Sequence, residues 1–297
     1  MLQLPQVTLC CVDARNHALA LRALARCRRD IEFARTIFLT DAIPAQVDVP
    51  ADIDVIPAGP IESHDAYSRI VLKELYPHVA TSHVLVVQWD GYVVNPEAWT
   101  DEFLGCDYLG APWPDGQGGY SVGNGGFSLR SRKLLEALQD DRFSARTEAE
   151  DVTICGVHRA RLESDFGIRF GDVDLAWRFS FEMRAIAGVT TFGFHGVFNL
   201  CHVESQHEIA ALAATLPASI AGSQMTTLLL RNLVIVRQFE AALALGQRML
   251  EVDPGNEEAA DAVVRSRFEL ADRHRKATTT QTSSLASRIA QRLRSFR

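Results

Sequence analysis

The chain has 297 residues, enough for about two domains of roughly 150 residues each. Apolar residues make up 47% of the sequence and charged residues 23%, which excludes a disordered chain, a collagen-like repeat and a disulfide-rich miniprotein for most of its length. The formal net charge is -7, from 30 basic and 37 acidic residues, and this balance argues against a protein that binds nucleic acid along its whole surface.

The predicted compartment is the cytoplasm. No apolar stretch reaches the roughly 18 residues of a transmembrane helix, and the first residues lack the basic region and apolar core of a secretory signal. The cysteines form no C-x-x-C pair and no zinc spacing, so we expect reduced, mostly buried side chains. They are Cys10, Cys11, Cys27, Cys106, Cys155 and Cys201.

Short β-type runs alternate with helical stretches over the first two hundred residues. The predicted strands are Gln6–Val12, Thr36–Leu39, Ile53–Ile56 and His83–Gln88, and the predicted helices are His17–Arg29 and Ala66–Val79. This alternation predicts an α/β fold with a mostly parallel sheet, which binds ligands beyond the carboxyl ends of its strands. Asp13, Arg15, Asp41 and Asp90 lie at such ends, although each residue type is also common as a helix cap or in a turn.

Residues 105 to 203 are rich in loops, glycine and aromatic side chains, which is typical of a segment that builds a site. A first motif comes before this region, directly after the predicted strand His83–Gln88, where Asp90 and Gly91 follow Gln88 and Trp89. A carboxylate in this position is suited to a divalent cation, which in nucleotide-sugar enzymes offsets charge on the departing diphosphate. On its own, Asp-Gly after a strand is most often a turn.

The second motif surrounds Asn124 with Gly123, Gly125 and Gly126. Glycines let a backbone pass close to a ligand or adopt positive φ. The motif lacks the Lys-Ser/Thr ending of a phosphate loop and does not follow the first strand as a dinucleotide fingerprint does. We therefore expect a sugar or acceptor pocket here, with a tight turn as the alternative.

Two further motifs carry ionisable groups. Glu150 and Asp151 precede an apolar helix start, where acids either complement the helix dipole or supply a general base. Neighbours on a helix point in different directions, so one of them faces a site, and we favour Asp151. His195 is flanked by aromatic residues and Gly196, and is either a metal ligand or a core histidine.

Taken together, these segments resemble a bacterial glycosyltransferase-like family described mainly as a domain of unknown function, which is similar to the GT-A class of nucleotide-sugar glycosyltransferases. The resemblance covers roughly residues 6 to 203 and is carried by the segments 88–91, 110–113, 123–130, 150–152 and 194–196. It implies a Rossmann-like sheet and a Mn²⁺ or Mg²⁺ ion held by Asp90 and His195. Gln88 stands where the Asp-x-Asp motif of that class has its first acid, which leaves metal dependence open.

The resemblance also implies roles for other residues. The expected nucleotide-sugar contacts are Asp13, Arg15, Asp41, Ser68, Arg69, Lys73, Gln88 and Asp90. Glu150 and Asp151 match the acidic pair that supplies the base in inverting members. Trp113 and the glycine-rich loop around Asn124 are expected to shape the sugar and acceptor pockets, since an aromatic face packs against the apolar side of a sugar ring.

The leading hypothesis is a cytoplasmic, metal-assisted, inverting glycosyltransferase that moves a sugar from a nucleotide-diphosphate donor to a hydroxyl of a glycan or glycolipid. Cell-surface polysaccharide or lipopolysaccharide assembly is a reasonable setting for it. The alternative is a catalytically silent nucleotide- or glycan-binding protein, or a scaffold, that acts through its C-terminal helices. The neutral Gln88 keeps this alternative open.

We predict three regions along the chain. Residues 1–204 form the GT-A-like domain. Residues 205–275 are helical and resemble a tetratricopeptide hairpin around the turn 253–256, a candidate surface for a protein partner. Residues 276–297 begin as a polar linker and end as a basic amphipathic helix, a candidate for peripheral contact with an anionic membrane or a solvated tail. Its apolar residues are Leu285, Ile289, Leu293 and Phe296.

Overall fold

The computed structural model describes residues 1–143, 148–183 and 187–294, with side chains described as far as residue 276. The chain divides into two compact units, Met1–Gly196 and Val197–Arg297. This division comes before the residue 204 boundary that composition indicates, because the short helical segment after Gly196 packs with the helices that follow it.

The first unit contains all the described strands. They are β1 Leu2–Val12, β2 Ile31–Thr40, β3 Asp54–Pro57, β4 His83–Val87, β5 Tyr108–Gly110, β6 Pro112–Pro114, β7 Tyr120–Val122, β8 Phe127–Ser131, β9 Ser180–Phe181 and β10 Gly193–Phe194. Its helices are α1 His17–Arg28, α2 His64–Arg69, α3 Arg132–Ala137, α4 Glu150–Val152, α5 Arg159–Phe166 and α6 Val173–Phe179.

Six strands form the central sheet, in the order β3-β2-β1-β4-β8-β5. β1 pairs in parallel with β2 and β4, and β2 pairs in parallel with β3, whereas β8 runs antiparallel to both β4 and β5. The α/β prediction with a mostly parallel sheet is confirmed. Every residue of β4 is buried, as its continuous apolar run predicts for a strand covered on both faces. β1 and β4 therefore end at the same edge of the sheet.

Three elements differ by several residues from the sequence prediction, and the first is β1, which begins at Leu2 instead of Gln6. β2 begins at Ile31, five residues before the predicted strand, because β1 pairs along it from Leu2 onward. Its first half mixes Ile31 and Phe33 with the exposed Glu32 and Arg35, so it lacks the continuous buried run of its second half. The predicted helix Ala66–Val79 is interrupted. α2 passes into a π-helical turn at Ile70–Glu74 and then a 3₁₀ turn at Tyr76–His78, where proline favours the first turn of a new segment.

The Val197–Arg297 unit is helical in its described part. Its helices are α7 Leu200–Val203, α8 Gln206–Ala213, α9 Ala218–Ala221, α10 Gln224–Ile235, α11 Phe239–Val252 and α12 Glu257–Arg294. Asp253 and Asn256 shape the turn between α11 and α12, because their side chains accept backbone N–H groups of Gly255 and Ala259. The predicted helical hairpin is therefore present.

The helix α12 runs through residues 277–284, which the composition predicts as a linker. The predicted amphipathic face of Leu285, Ile289 and Leu293 lies beyond the described side chains, and Phe296 lies outside the described residues. Among the residues that the structure describes, no helix combines the length and apolar character that a membrane span requires.

All six cysteines are buried free thiols. Burial raises the pKa of Cys10 and Cys27 to about 12. These side chains therefore serve as small apolar groups, as predicted.

Candidate functional site

A cavity of about 440 Å³ opens in the first unit, beyond the carboxyl ends of β1 and β4. This is the edge where a mostly parallel sheet is expected to bind its ligand. Its wall contains these residues predicted from sequence: Asp13, Arg15, Gln88, Trp113, Asn124, Gly126, Glu150, Asp151 and His195.

His195 forms the centre of the polar wall. Gln88 and Gly91 exchange two backbone hydrogen bonds of 3.2 and 3.0 Å, so the segment after β4 is a tight turn. This turn places Gln88 Oε1 3.1 Å and Asp90 Oδ1 3.7 Å from His195 Nε2. A Cβ at Gly91 would lie 2.8 Å from the imidazole ring, so this close approach requires glycine.

The other ring nitrogen of His195 faces a carboxylate. Glu182 Oε1 lies 2.8 Å from His195 Nδ1, and the side-chain nitrogen of Asn124 lies 2.9 Å from it. Burial lowers the pKa of His195, but Asp90 and Glu182 raise it by more, and it reaches about 9. Burial raises the pKa of Glu182, but hydrogen bonds and the charge of His195 lower it overall. Glu182 is therefore ionised at neutral pH.

These donors are compatible with a divalent cation. Two oxygens lie within 3.7 Å of His195 Nε2, namely Oδ1 of Asp90 and Oε1 of Gln88. Glu182 contacts the other ring nitrogen, Nδ1, as carboxylates do for histidine ligands in metal sites. In the described part of the chain, no group of three or more His, Cys, Asp or Glu side chains is arranged to hold a metal. A third protein ligand would thus be the amide oxygen of Gln88.

The glycine-rich loop approaches protein groups closely. A Cβ at Gly123 would lie 2.3 Å from the Trp113 ring, one at Gly125 2.1 Å from Glu150 Oε1, and one at Gly126 2.1 Å from His195 Nε2. Asn124 itself has a φ of 48° and is buried, a left-handed conformation that Asn tolerates better than most residues. The loop packs Trp113 and His195 against the cavity wall.

The adjacent acids Glu150 and Asp151 have different environments. Glu150 is 3% exposed and lies 3.0 Å from Nη2 of Arg130, which is fully buried. Asp151 accepts backbone N–H bonds of 2.8 Å from Gly125 and from Val152. Burial, and then the charge of Glu150, raise the pKa of Asp151 above its usual value. Asp151 thus has the environment of a general base, whereas Glu150 neutralises a buried cation.

Asp90, one of the predicted nucleotide contacts, does not line the cavity itself but lies 3.7 Å from His195, which does. Four other predicted nucleotide contacts lie away from the cavity wall. Asp41 is exposed and accepts the N–H of Ala42, Ser68 is fully buried, and Arg69 forms an ion pair with Glu74. Lys73 donates to the main-chain carbonyls of Leu138 and Asp140 at 2.6 and 2.8 Å. All but Asp41 lie on α2 and the π-helical turn after it, where only the first turn of α2 reaches the cavity.

The two nucleotide candidates after β1 do line the cavity. Asp13 is committed to the turn before α1, since its carboxylate accepts N–H bonds from Arg15 and Asn16 at 2.7 and 2.6 Å. The Arg15 side chain donates to the carbonyl of Glu62. Asp13 therefore shapes this end of the cavity through the backbone, and Arg15 is the cationic side chain of the pair.

Sequence reasoning missed Tyr67 and Glu182. The Tyr67 hydroxyl accepts a 2.8 Å hydrogen bond from the Gln88 side-chain amide, which directs the Gln88 oxygen towards His195. Glu182 follows the two-residue strand β9 in a segment without a motif. The other unpredicted wall residues include Asn16, Ser63, His64 and Trp89.

Residues 51–195 match the model of a family described as "Protein of unknown function (DUF5672)". The match includes the turn after β4, the glycine-rich loop, the acidic pair and His195. It confirms the resemblance to a family of unknown function. No curated protein matches the chain.

Several solved structures are similar to this chain. A glycosyltransferase involved in glycosylation of the major capsid of PBCV-1 is 15% identical, with a TM-score of 0.39, over 64% of this chain and 91% of that one. An active-site mutant of LgtC is 18% identical, with a TM-score of 0.39, over 63% and 86%. Apo GlyE of Streptococcus pneumoniae TIGR4 is 14% identical, with a TM-score of 0.37, over 64% and 54%. At such low scores these likenesses carry no argument about activity.

Proposed function

We propose that the Met1–Gly196 unit is a glycosyltransferase that moves a sugar from a nucleotide-diphosphate donor to an acceptor hydroxyl. The observation that carries this proposal is one cavity that combines two chemical groups. Gln88 and His195 lie on its wall, with Asp90 Oδ1 3.7 Å from His195 Nε2, and together they form a polar cluster. Asp151, a carboxylate with a raised pKa, lines the same cavity. The cluster around His195 suits the diphosphate of the donor and its counter-ion, and Asp151 suits the hydroxyl of the acceptor.

The leaving-group side is formed by the turn after β4 and His195. Asp90, His195 and the Gln88 oxygen would hold a Mn²⁺ or Mg²⁺ ion, which would neutralise charge on the departing diphosphate. The protein contributes a fixed arrangement of these side chains. Tyr67 orients the Gln88 amide, Glu182 orients the imidazole, and both partners lie at 2.8 Å.

Asp151 serves as the general base on the acceptor side. Its carboxylate takes the proton of the acceptor hydroxyl while the acceptor oxygen bonds to the anomeric carbon and the bond to the diphosphate breaks. Direct displacement of this kind inverts the anomeric centre. The backbone N–H groups of Gly125 and Val152 hold the carboxylate, and its raised pKa makes it a better proton acceptor than an exposed aspartate.

Trp113 supplies the sugar-binding surface. Its ring lies against the backbone of Gly123, its indole N–H donates to Glu182 at 2.8 Å, and it lines the cavity. An indole held at its edge in this way presents an apolar face, which suits the apolar side of a sugar ring. We place the transferred sugar or the acceptor there.

The proposal extends to the biological setting. The acceptor is a glycan or glycolipid, the reaction occurs in the cytoplasm, and the product enters cell-surface polysaccharide or lipopolysaccharide assembly. The helical unit recruits a protein partner, and the segment 276–297 brings the enzyme to the inner face of the membrane. These statements rest on the sequence resemblance and on the amphipathic pattern of the tail.

One observation favours a second candidate, a catalytically silent nucleotide- or glycan-binding protein. The third donor beside His195 Nε2 is a neutral amide, 3.1 Å away, where a carboxylate would bind a cation more tightly. Such a protein would bind the donor and release no product.

Calorimetric titration with nucleoside diphosphates and nucleotide sugars, with and without Mn²⁺, tests the proposal. We expect one nucleotide to bind in a metal-dependent way, and we expect Asp90→Ala to abolish that dependence. Asp41→Ala is the matched control, because it removes an exposed carboxylate outside the cavity wall. Binding without donor hydrolysis or transfer would favour the silent protein. No binding across the panel would refute the transferase and a silent protein that binds nucleotides.

A further inference from the structure

Glu182 joins two parts of the cavity that are far apart in sequence. β9 and β10 pair in parallel, with Phe181 opposite Phe194. Glu182 directly follows Phe181 and His195 directly follows Phe194, so the two residues leave the paired strands side by side. The backbone N–H of His195 donates to the carbonyl of Phe181 at 2.9 Å, which fixes this register. The side chains of Glu182 and His195 are each only partly accessible, 14% and 16% exposed.

The two carboxylate oxygens of Glu182 have different partners. Oε1 lies 2.8 Å from His195 Nδ1, and Oε2 accepts the indole N–H of Trp113 at 2.8 Å. The Asn124 side chain also forms a hydrogen bond with Glu182. Because a carboxylate only accepts hydrogen bonds, Nδ1 of His195 is the donor in its 2.8 Å contact with Oε1. Nε2 is the nitrogen that faces Gln88 and Asp90, and it is the one that loses its proton when the ring becomes neutral or binds a cation. Glu182 sets the orientation of the ring from the opposite side.

Only a carboxylate satisfies both donors. A glutamine at this position has one acceptor oxygen and one donor amide, so it accepts from either His195 or Trp113 and presents an N–H to the other. The two contacts are therefore linked through a single side chain. Displacing Trp113 changes how His195 is held, and losing the histidine contact releases the indole.

We infer that Glu182 is a positioning residue that fixes the tautomer and orientation of His195 and couples them to the sugar-facing Trp113. The consequence for catalysis rests on the proposed function, because the cation side and the sugar side of the cavity would then be aligned through one carboxylate. Glu182 touches no reacting atom in this scheme.

Two nuclear magnetic resonance signals test the inference without metal or nucleotide. The first is the Nδ1–H of His195, identified by its loss in His195→Gln, and the second is the indole N–H of Trp113, identified by its loss in Trp113→Phe. We expect Glu182→Gln to shift or broaden both signals. Glu163→Gln is the matched control, since Glu163 forms an exposed ion pair with Arg159 on α5, and it should leave both signals in place.

Mn²⁺ affinity provides a second readout besides activity. Removing the partner of a histidine ligand typically costs about 10- to 100-fold in metal affinity, and we expect that loss in Glu182→Gln. The double variant Glu182→Gln with Trp113→Phe should recover part of it, because the glutamine oxygen is then available to His195 alone. A purely structural role predicts that the two losses add.

The outcomes separate the inference from the proposed function. If Glu182→Gln leaves the Nδ1–H and indole signals unchanged, the positioning role is refuted whatever the enzyme does. If the wild type binds no Mn²⁺ while both signals respond to Glu182→Gln, the coupling stands and the proposed cation does not. If the double variant binds Mn²⁺ less tightly than Glu182→Gln, the coupling through one carboxylate is refuted.

Discussion

Replacing Glu150 with glutamine tests whether the two adjacent acids have separate roles. Glu150 neutralises Arg130, whose guanidinium is fully buried, and the two side chains lie 3.0 Å apart. Nη1 of Arg130 has no hydrogen-bond partner within the described residues, so Glu150 is the chief compensation for this charge. Breaking a buried ion pair on one side typically costs about 3–5 kcal/mol, because the remaining charge stays buried.

We therefore expect Glu150→Gln to lower the free energy of unfolding of the first unit by about 3–5 kcal/mol. With a urea m-value of about 2–3 kcal/mol per M, the unfolding midpoint should fall by about 1–2.5 M. Tryptophan fluorescence is the assay of choice, because all four tryptophans lie within residues 89–177 and report on this unit alone.

Two comparisons make the result specific. Glu163→Gln breaks an exposed i,i+4 pair with Arg159 and should cost only about 0.3–0.5 kcal/mol. Replacing both buried partners, with Arg130→Met and Glu150→Leu, should recover most of the lost stability, since no charge is left buried. If Glu150→Gln unfolds within about 1 kcal/mol of the wild type, or the double variant is less stable than the single one, the ion-pair reasoning is refuted.

Three further predictions concern pH and packing. Because burial and Glu150 raise the pKa of Asp151 above 3.8, kcat/KM should fall on acidification at a higher pH than an ordinary aspartate would give, and Glu150→Gln should move that limb to lower pH. The pKa of His195 is raised from 6.5 to about 9, so its protonated form stabilises the first unit, fully so below pH 6.5. About 3 kcal/mol of the free energy of unfolding should be lost as the pH rises from 6.5 to 9. Urea titrations of His195→Gln should show no such loss. Gly123→Ala places a Cβ 2.3 Å from the Trp113 ring, so it should cost about 1–3 kcal/mol of stability and shift the indole emission; an unchanged spectrum would contradict the packing.

The parallel half of the sheet could be predicted from the sequence, and the antiparallel half could not. β4 is a continuous run of buried apolar residues, a pattern that a central strand produces. β8 is also central and fully buried, but it contains Ser128 and Arg130 and follows three glycines. A buried arginine in a central strand depends on Glu150, twenty residues later, and no local pattern shows that contact.

The polar cluster could be predicted only in part. Asp90 and His195 each stand beside a glycine in the sequence, Gly91 and Gly196. In the structure, Gly91 and Gly126 make room for the imidazole ring, so these glycines allow protein groups to approach one another closely. The interpretation of the glycine-rich loop around Asn124 as a ligand-binding loop stays a prediction.

Glu182 shows why the rest of the site could not be found. It is brought to His195 by β9 and β10, strands of two residues each, and their pairing is too short for an alternating pattern. Its hydrogen bonds with Trp113 and His195 join residues 69 and 13 positions away in sequence. The role of a carboxylate that accepts from both an imidazole and an indole depends on where those two side chains lie. Its role follows from the geometry of three side chains, and a sequence motif describes only one stretch of chain at a time.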